Sequence, residues 1–199
     1  MRTWKFLAAA ALVAGLCMPA LAQDQNQSPH ATNSGTQAAL QSDNTRDNAG
    51  AITTAEQEFV TQAAQGDRAE VDLANLALQK SNNPDVRQFA QRMIDDHTQN
   101  QEQVNSLASK LSITPPSEVS AEQKENRDGL QSLSGEQFDR AYARLMLHDH
   151  RKDVNEFKRE HQLAKNSDLK QYVDQTLPVL EEHAQLAAQL NSKVVRGGS

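Results

Sequence analysis

The chain has 199 residues, with 20 basic and 26 acidic side chains for a net charge of −6, and only 4% of its residues are aromatic. An acidic balance excludes general binding to nucleic acid or anionic membrane surfaces. A single cysteine excludes an internal disulfide, and the sparse aromatics with abundant Ala, Leu and Gln favour long helices over strands.

Met1 to Ala22 carries Arg2 and Lys5, an apolar run from Phe6 to Leu16, and Ala20-Leu21-Ala22 as a small-x-small cleavage site. It reads as an export signal, and its apolar run is too short for a stable membrane span. Leu16 before Cys17 does not suit lipid attachment, which favours a small residue there. Cleavage near Ala22 removes the one Cys and the one Trp, leaves no transmembrane segment, and makes the remainder two charges more negative. The expected location is therefore periplasmic or otherwise exported.

Residues 23–53 are rich in Gln, Asn, Ser, Thr and Gly and lack the apolar side chains that would offset ordering entropy, so they read as a disordered polar tether. His30, within it, has nothing nearby to hold it as a ligand. Residues 54–191 form the expected helical domain, and 192–199, with Gly197 and Gly198, a flexible tail.

Within the domain, Phe59, Ala63, Gly66, Glu70, Leu73 and Ala77 step by four and three, which predicts helix one from about Thr54 to Lys80 with Thr54 and Gln57 as a capping box. Pro84 follows a polar turn. Helix two then runs from about Asp85 to Leu111 on the stripe Val86, Ala90, Met93, His97, Asn100, Val104 and Leu107, and Pro115-Pro116 ends it. Ser117 to Ser134 is a polar connection long enough to cross a bundle, with Ser120 to Gln123 able to cap a short surface helix. Helix three begins after Ser134 and ends near Lys165-Asn166, with Phe138, Tyr142, Met146, His150, Asp153 and Phe157 on its stripe. Helix four carries Leu169, Tyr172, Thr176, Leu180, His183, Ala187 and Leu190, and Pro178 should kink or divide it. The fold class is all-α: a four-helix bundle with a long connection between helices two and three.

Each stripe contains a polar interruption. At 1.5 Å per residue, Glu70 and His97 both lie about 15 to 18 Å from their shared turn, and His150 and His183 about 22 to 24 Å from theirs. Aligned hairpins would bring Glu70, His97, His150 and His183 into one buried layer. Three imidazoles and a carboxylate suit one transition metal ion, Zn, Fe or Cu, with Asp96, Asp149 or Asp153 near enough to orient a ring. The same layer could also be a polar network that fixes helix register and binds nothing. His148 and His161 fall on outer faces, and of Asp95 and Asp96 one should be solvated and one partly buried.

The segments DRAEVDLANLALQKSNNPDVRQFAQRMIDDHTQNQ, FDRAYARLMLHDHRKDV and QTLPVLEEHAQLA resemble the family called domain of unknown function 4142, exported bacterial proteins. The resemblance spans about residues 54–191 and implies a ferritin-like bundle without an established reaction. Di-iron bundles use Glu-x-x-His, but Ile94, Leu147 and Leu180 stand three residues before His97, His150 and His183, so a ferroxidase centre is not expected.

Two roles follow. The first is an exported, non-catalytic bundle connected with the envelope or stress. The second is a metal-binding, redox-capable bundle built on the polar layer. No Gly-x-Ser-x-Gly elbow or phosphate loop is present to support hydrolysis or nucleotide chemistry. A protein partner or self-association is compatible with the solvated acidic faces, which single out no surface for it.

Overall fold

The computed structural model describes residues 50–196, and all regular structure among them is helical. The helices are α1 (Thr54–Lys80), α2 (Pro84–Lys110), α3 (Ala121–Gln131), α4 (Gly135–Leu163) and α5 (Ser167–Arg196). Four are long. The fifth, α3, lies in the connection between α2 and α4, so the domain has five helices where the bundle description counts four. The export signal and most of the tether fall on residues 1–49, outside the described residues.

Local chemistry sets the helix ends. The capping box at the start of α1 is Thr53 with Glu56, one residue earlier than the Thr54–Gln57 pair that the sequence suggests. Thr53 wins because a second demand falls on Glu56. Its Oε1 accepts the backbone N–H groups of Lys165 (2.9 Å) and Asn166 (3.2 Å), tying the start of α1 to the α4–α5 turn. Pro84 occupies the first turn of α2, where its missing N–H leaves no helical bond unmade. The Ser120–Gln123 capping box forms as the sequence indicates. After α2, Ser112 adopts φ 57°, and the Ile113 N–H returns to the Ala108 carbonyl at 2.8 Å, closing the helix as glycine commonly does.

Pro178 does not divide α5, which continues to Arg196. A proline removes one ladder bond, and the apolar face on both sides of it is anchored: Tyr172, Val173 and Thr176 before it, Leu180, Ala187, Leu190 and Val194 after it, are all buried.

Helices α1 and α2 pack along their lengths as one hairpin, and α4 and α5 as another. Between hairpins, α2 meets α5 closely and α1 meets α4 more sparsely, with α3 lying against both α1 and α4. The connection is pinned to α1 by Gln65, whose Nε2 donates to the Glu118 carbonyl at 2.9 Å, and by Arg68, which donates to the Pro116 carbonyl.

The apolar interior is in two parts. One gathers Leu73, Ala77, Val86, Met93, Phe138, Met146 and Leu190. The other gathers Phe59, Val60, Val104, Phe157, Leu169 and Leu180. Asp67, Glu70, His97, His150 and His183, all buried, occupy the chain positions between the two sets. A polar layer that interrupts a dry core destabilises the fold unless its members are paired or bind something.

Candidate metal centre

The layer is centred on three rings. His97 comes from α2, His150 from α4 and His183 from α5, with 4%, 0% and 1% of their surface exposed. Ring centroids are 5.6 Å apart for His97 and His150, 5.2 Å for His97 and His183, and 5.3 Å for His150 and His183. One nitrogen of each ring can be chosen so that the three lie within 4.8 Å of one another.

Hydrogen bonds on the outer side of each ring identify which nitrogen that is. His97 donates from Nδ1 to Asp67 Oδ1 at 2.9 Å, and His150 donates from Nδ1 to the Met146 carbonyl at 2.9 Å. Both therefore turn Nε2 inward, and these two atoms stand 3.4 Å apart. His183 is reversed: Nε2 donates to Asp96 Oδ2 at 2.8 Å, and Nδ1 is buried without a partner. Each outer bond fixes a tautomer, leaving an inward lone pair on every neutral ring.

The carboxylates behind the rings are themselves held. Asp67, 3% exposed, receives Asn100 Nδ2 on both oxygens, at 3.0 and 2.9 Å. Asn100 accepts from Thr176 Oγ1 at 3.0 Å and donates to the Tyr172 hydroxyl at 2.9 Å, so α1, α2 and α5 share one network. Asp96 is partly buried and paired with Arg92, whereas Asp95 is exposed, as the sequence suggests for that pair.

Of the four residues that helix depth brings together, the compact group contains His97, His150 and His183. Glu70 is buried on the wall of an adjoining cleft, and its Oε2 lacks a hydrogen-bond partner. His148 and His161 are exposed on outer faces. Asp67 is the member that stripe reading overlooks. It sits three residues before Glu70 on a buried face broad enough to hold Ala64, Asp67, Glu70 and Ala74, and following one file of that face passes it by.

Burial shapes the protonation of this cluster. It pushes His150 well below its usual range, with the neighbouring charge of His97 acting in the same direction. His183 falls to about 4 for the same two reasons, despite the opposing pull of Asp96. Burial also lowers His97, but the Asp67 hydrogen bond and the charges of Glu70, Asp67 and Asp153 outweigh it, and the net shift is upward. Burial raises Glu70 to about 8 and Asp153 to about 7, against the attraction of His97.

Without an ion, a proton on His97 Nε2 can point at His150 Nε2 and relieve the lone-pair conflict. With an ion, three neutral nitrogens face one centre. The arrangement could hold a metal ion, and this favours the metal-binding role over the non-catalytic bundle without a ligand. The carboxylates sit behind the rings, unlike the shared ligands of a di-iron centre.

Among known proteins, no curated sequence gives a significant match. In fold, the chain is similar to a DUF305 fragment from Deinococcus radiodurans, with a TM-score of 0.64 at 20% identity over 72% of this chain and 99% of that one. It is also similar to CopM in its Cu(II)-bound form, with a TM-score of 0.59 at 17% identity over 69% of this chain and 96% of that one. The profile described as domain of unknown function (DUF4142) matches residues 41–190, and the chain belongs to that family.

Proposed function

We propose that this protein is an exported metal-binding bundle holding one divalent transition metal ion, Cu(II) foremost, on His97 Nε2, His150 Nε2 and His183 Nδ1. The carrying observation is the set of inward lone pairs created by outer hydrogen bonds, with two of the nitrogens 3.4 Å apart. Two imidazole nitrogens bonded to one ion at about 2.0–2.1 Å stand about 3.3 Å apart at a tetrahedral angle and about 2.9 Å apart at the right angle of tetragonal Cu(II), so the His97–His150 edge would close slightly around copper. Binding would draw in the widest edge of the group, now up to 4.8 Å.

Neutral imidazoles suit Cu, Zn and Fe(II), and Cu(II) stands highest in the divalent affinity order. The fold shared with CopM, a protein solved with Cu(II), supports copper as the first ion to test. Asp67 and Asp96 serve as the outer partners that orient His97 and His183. Uptake and sequestration of an ion are the chemistry this site supports.

Electron paramagnetic resonance of the chain loaded with one equivalent of Cu(II) tests the reading. The expected spectrum is a single species with nitrogen superhyperfine structure, lost in both His97→Ala and His183→Ala. A spectrum unchanged in either variant would place the copper elsewhere.

A further inference from the structure

The histidine group is buried, yet a cleft of about 400 Å³ reaches it where α1 and α4 pack sparsely and α3 lies alongside. His97 and its partner Asp67 form part of the cleft wall, whereas His150 and His183 do not. The wall also carries Glu70, Glu122, Asp149, Asp153 and Glu156, against Lys152 as the lysine or arginine among the described lining residues. The carboxylates are graded by depth: Glu122 is exposed, Asp149, Asp153 and Glu156 are half-buried, and Glu70 is 5% exposed.

Glu70 supplies the second observation. Its Oε2 is buried in the cleft wall without a hydrogen-bond partner, whereas Asp67 and Asp96, the carboxylates bonded to the rings, each accept hydrogen bonds from a ring and from a second side chain. A buried, unpartnered carboxylate oxygen on a residue that lines a cavity gains a partner when a polar or cationic guest enters and the side chain turns to meet it.

Resting on the proposed metal reading, we infer that this cleft is the loading port for the histidine site. A hydrated divalent cation is gathered at the mouth by Glu122 and Asp149. It then passes Asp153 and Glu70, exchanges water for carboxylate oxygen on the way, and reaches the triad from the His97 side. Metal–water bonds are exchanged for metal–ligand bonds, and any proton carried by Glu70 or His97 leaves to solvent as the ion binds. A negatively lined cleft with low-dielectric walls raises local cation concentration and association rate by about 10 to 1,000-fold, and the effect fades as salt rises.

Stopped-flow absorbance with Cu(II) as the probe tests this on the full exported chain. The Glu122→Gln/Asp149→Asn/Asp153→Asn variant should load at least about 10-fold more slowly at low ionic strength, with a flatter salt dependence and unchanged final stoichiometry. Lys152→Glu, which adds charge at an exposed position, should load faster and does not depend on the triple variant folding. Asp72→Asn/Glu136→Gln removes exposed charge away from the cleft and should keep the wild-type rate.

Unchanged rates in the cleft variants, or equal slowing in the control, would overturn the port while leaving wild-type binding intact. Failure of the wild type to take up Cu(II) at all would overturn the metal reading and the port together.

Discussion

His97 is the residue on which the cluster turns, because it alone of the three rings is held above its ordinary value of 6.5. A metal ion must displace any proton it carries. Uptake below that value should therefore release a proton, and apparent affinity should fall as pH falls through the His97 range. Calorimetry in buffers of differing ionisation enthalpy measures the release directly. Asp67→Asn removes the acceptor that fixes the His97 tautomer. It should weaken metal binding by about 10 to 100-fold while leaving the helical content unchanged.

Two groups give opposite pH slopes to the stability of the metal-free protein. Glu70, raised from 4.5 to about 8, contributes stability that is fully present below 4.5 and is lost as pH rises through 8. His183, lowered from 6.5 to about 4, contributes stability present above 6.5 and lost as pH falls through 4. Glu70→Gln removes the first slope and weakens the upward pull on His97. Its stability relative to the wild type should rise between pH 5 and pH 8, by an amount on the order of a few kcal/mol, in urea unfolding at the two pH values.

At the scale of elements, the depth of each histidine depends on where its helix begins. Asn166 sets this for α5: its Oδ1 accepts the N–H groups of Asp168 (3.0 Å) and Leu169 (3.1 Å), and its Nδ2 donates to the Gly50 carbonyl at 3.1 Å. Asn166→Ala should cost about 1 to 2 kcal/mol in chemical denaturation. The helices themselves were legible because apolar residues recur at helical spacing and Pro, Asn and Ser mark their ends. What escaped was whatever depends on a distant partner. Thr53 caps α1 because Glu56 is also needed by Lys165 and Asn166, and Pro178, expected to kink or divide α5, leaves it undivided because buried apolar side chains hold it on both sides. Asp67 was hidden in the same way, since its partners His97 and Asn100 lie on another helix.

For the whole molecule, helix depth places Glu70, His97, His150 and His183 in one layer. The three rings form the compact group and Glu70 stands on the cleft wall beside them, a difference set by helix rotation and the sparse α1–α4 seam. A polar layer between two apolar sets gives binding a thermodynamic signature. An ion that binds the folded chain at 100 times its dissociation constant stabilises it by about 2.7 kcal/mol, so unfolding should shift to higher temperature with Cu(II). No helix among the described residues is long and apolar enough to cross a membrane. The export reading adds that intact mass of secreted material should correspond to a chain beginning near Gln23. The central claim is tested most directly by equilibrating the exported chain with Cu(II), removing loosely held metal with a weak chelator, and counting ions per chain beside a His97→Ala/His150→Ala/His183→Ala variant. One ion per wild-type chain and none in the variant is the predicted result; sub-stoichiometric copper in the wild type, or equal retention in both, would contradict it.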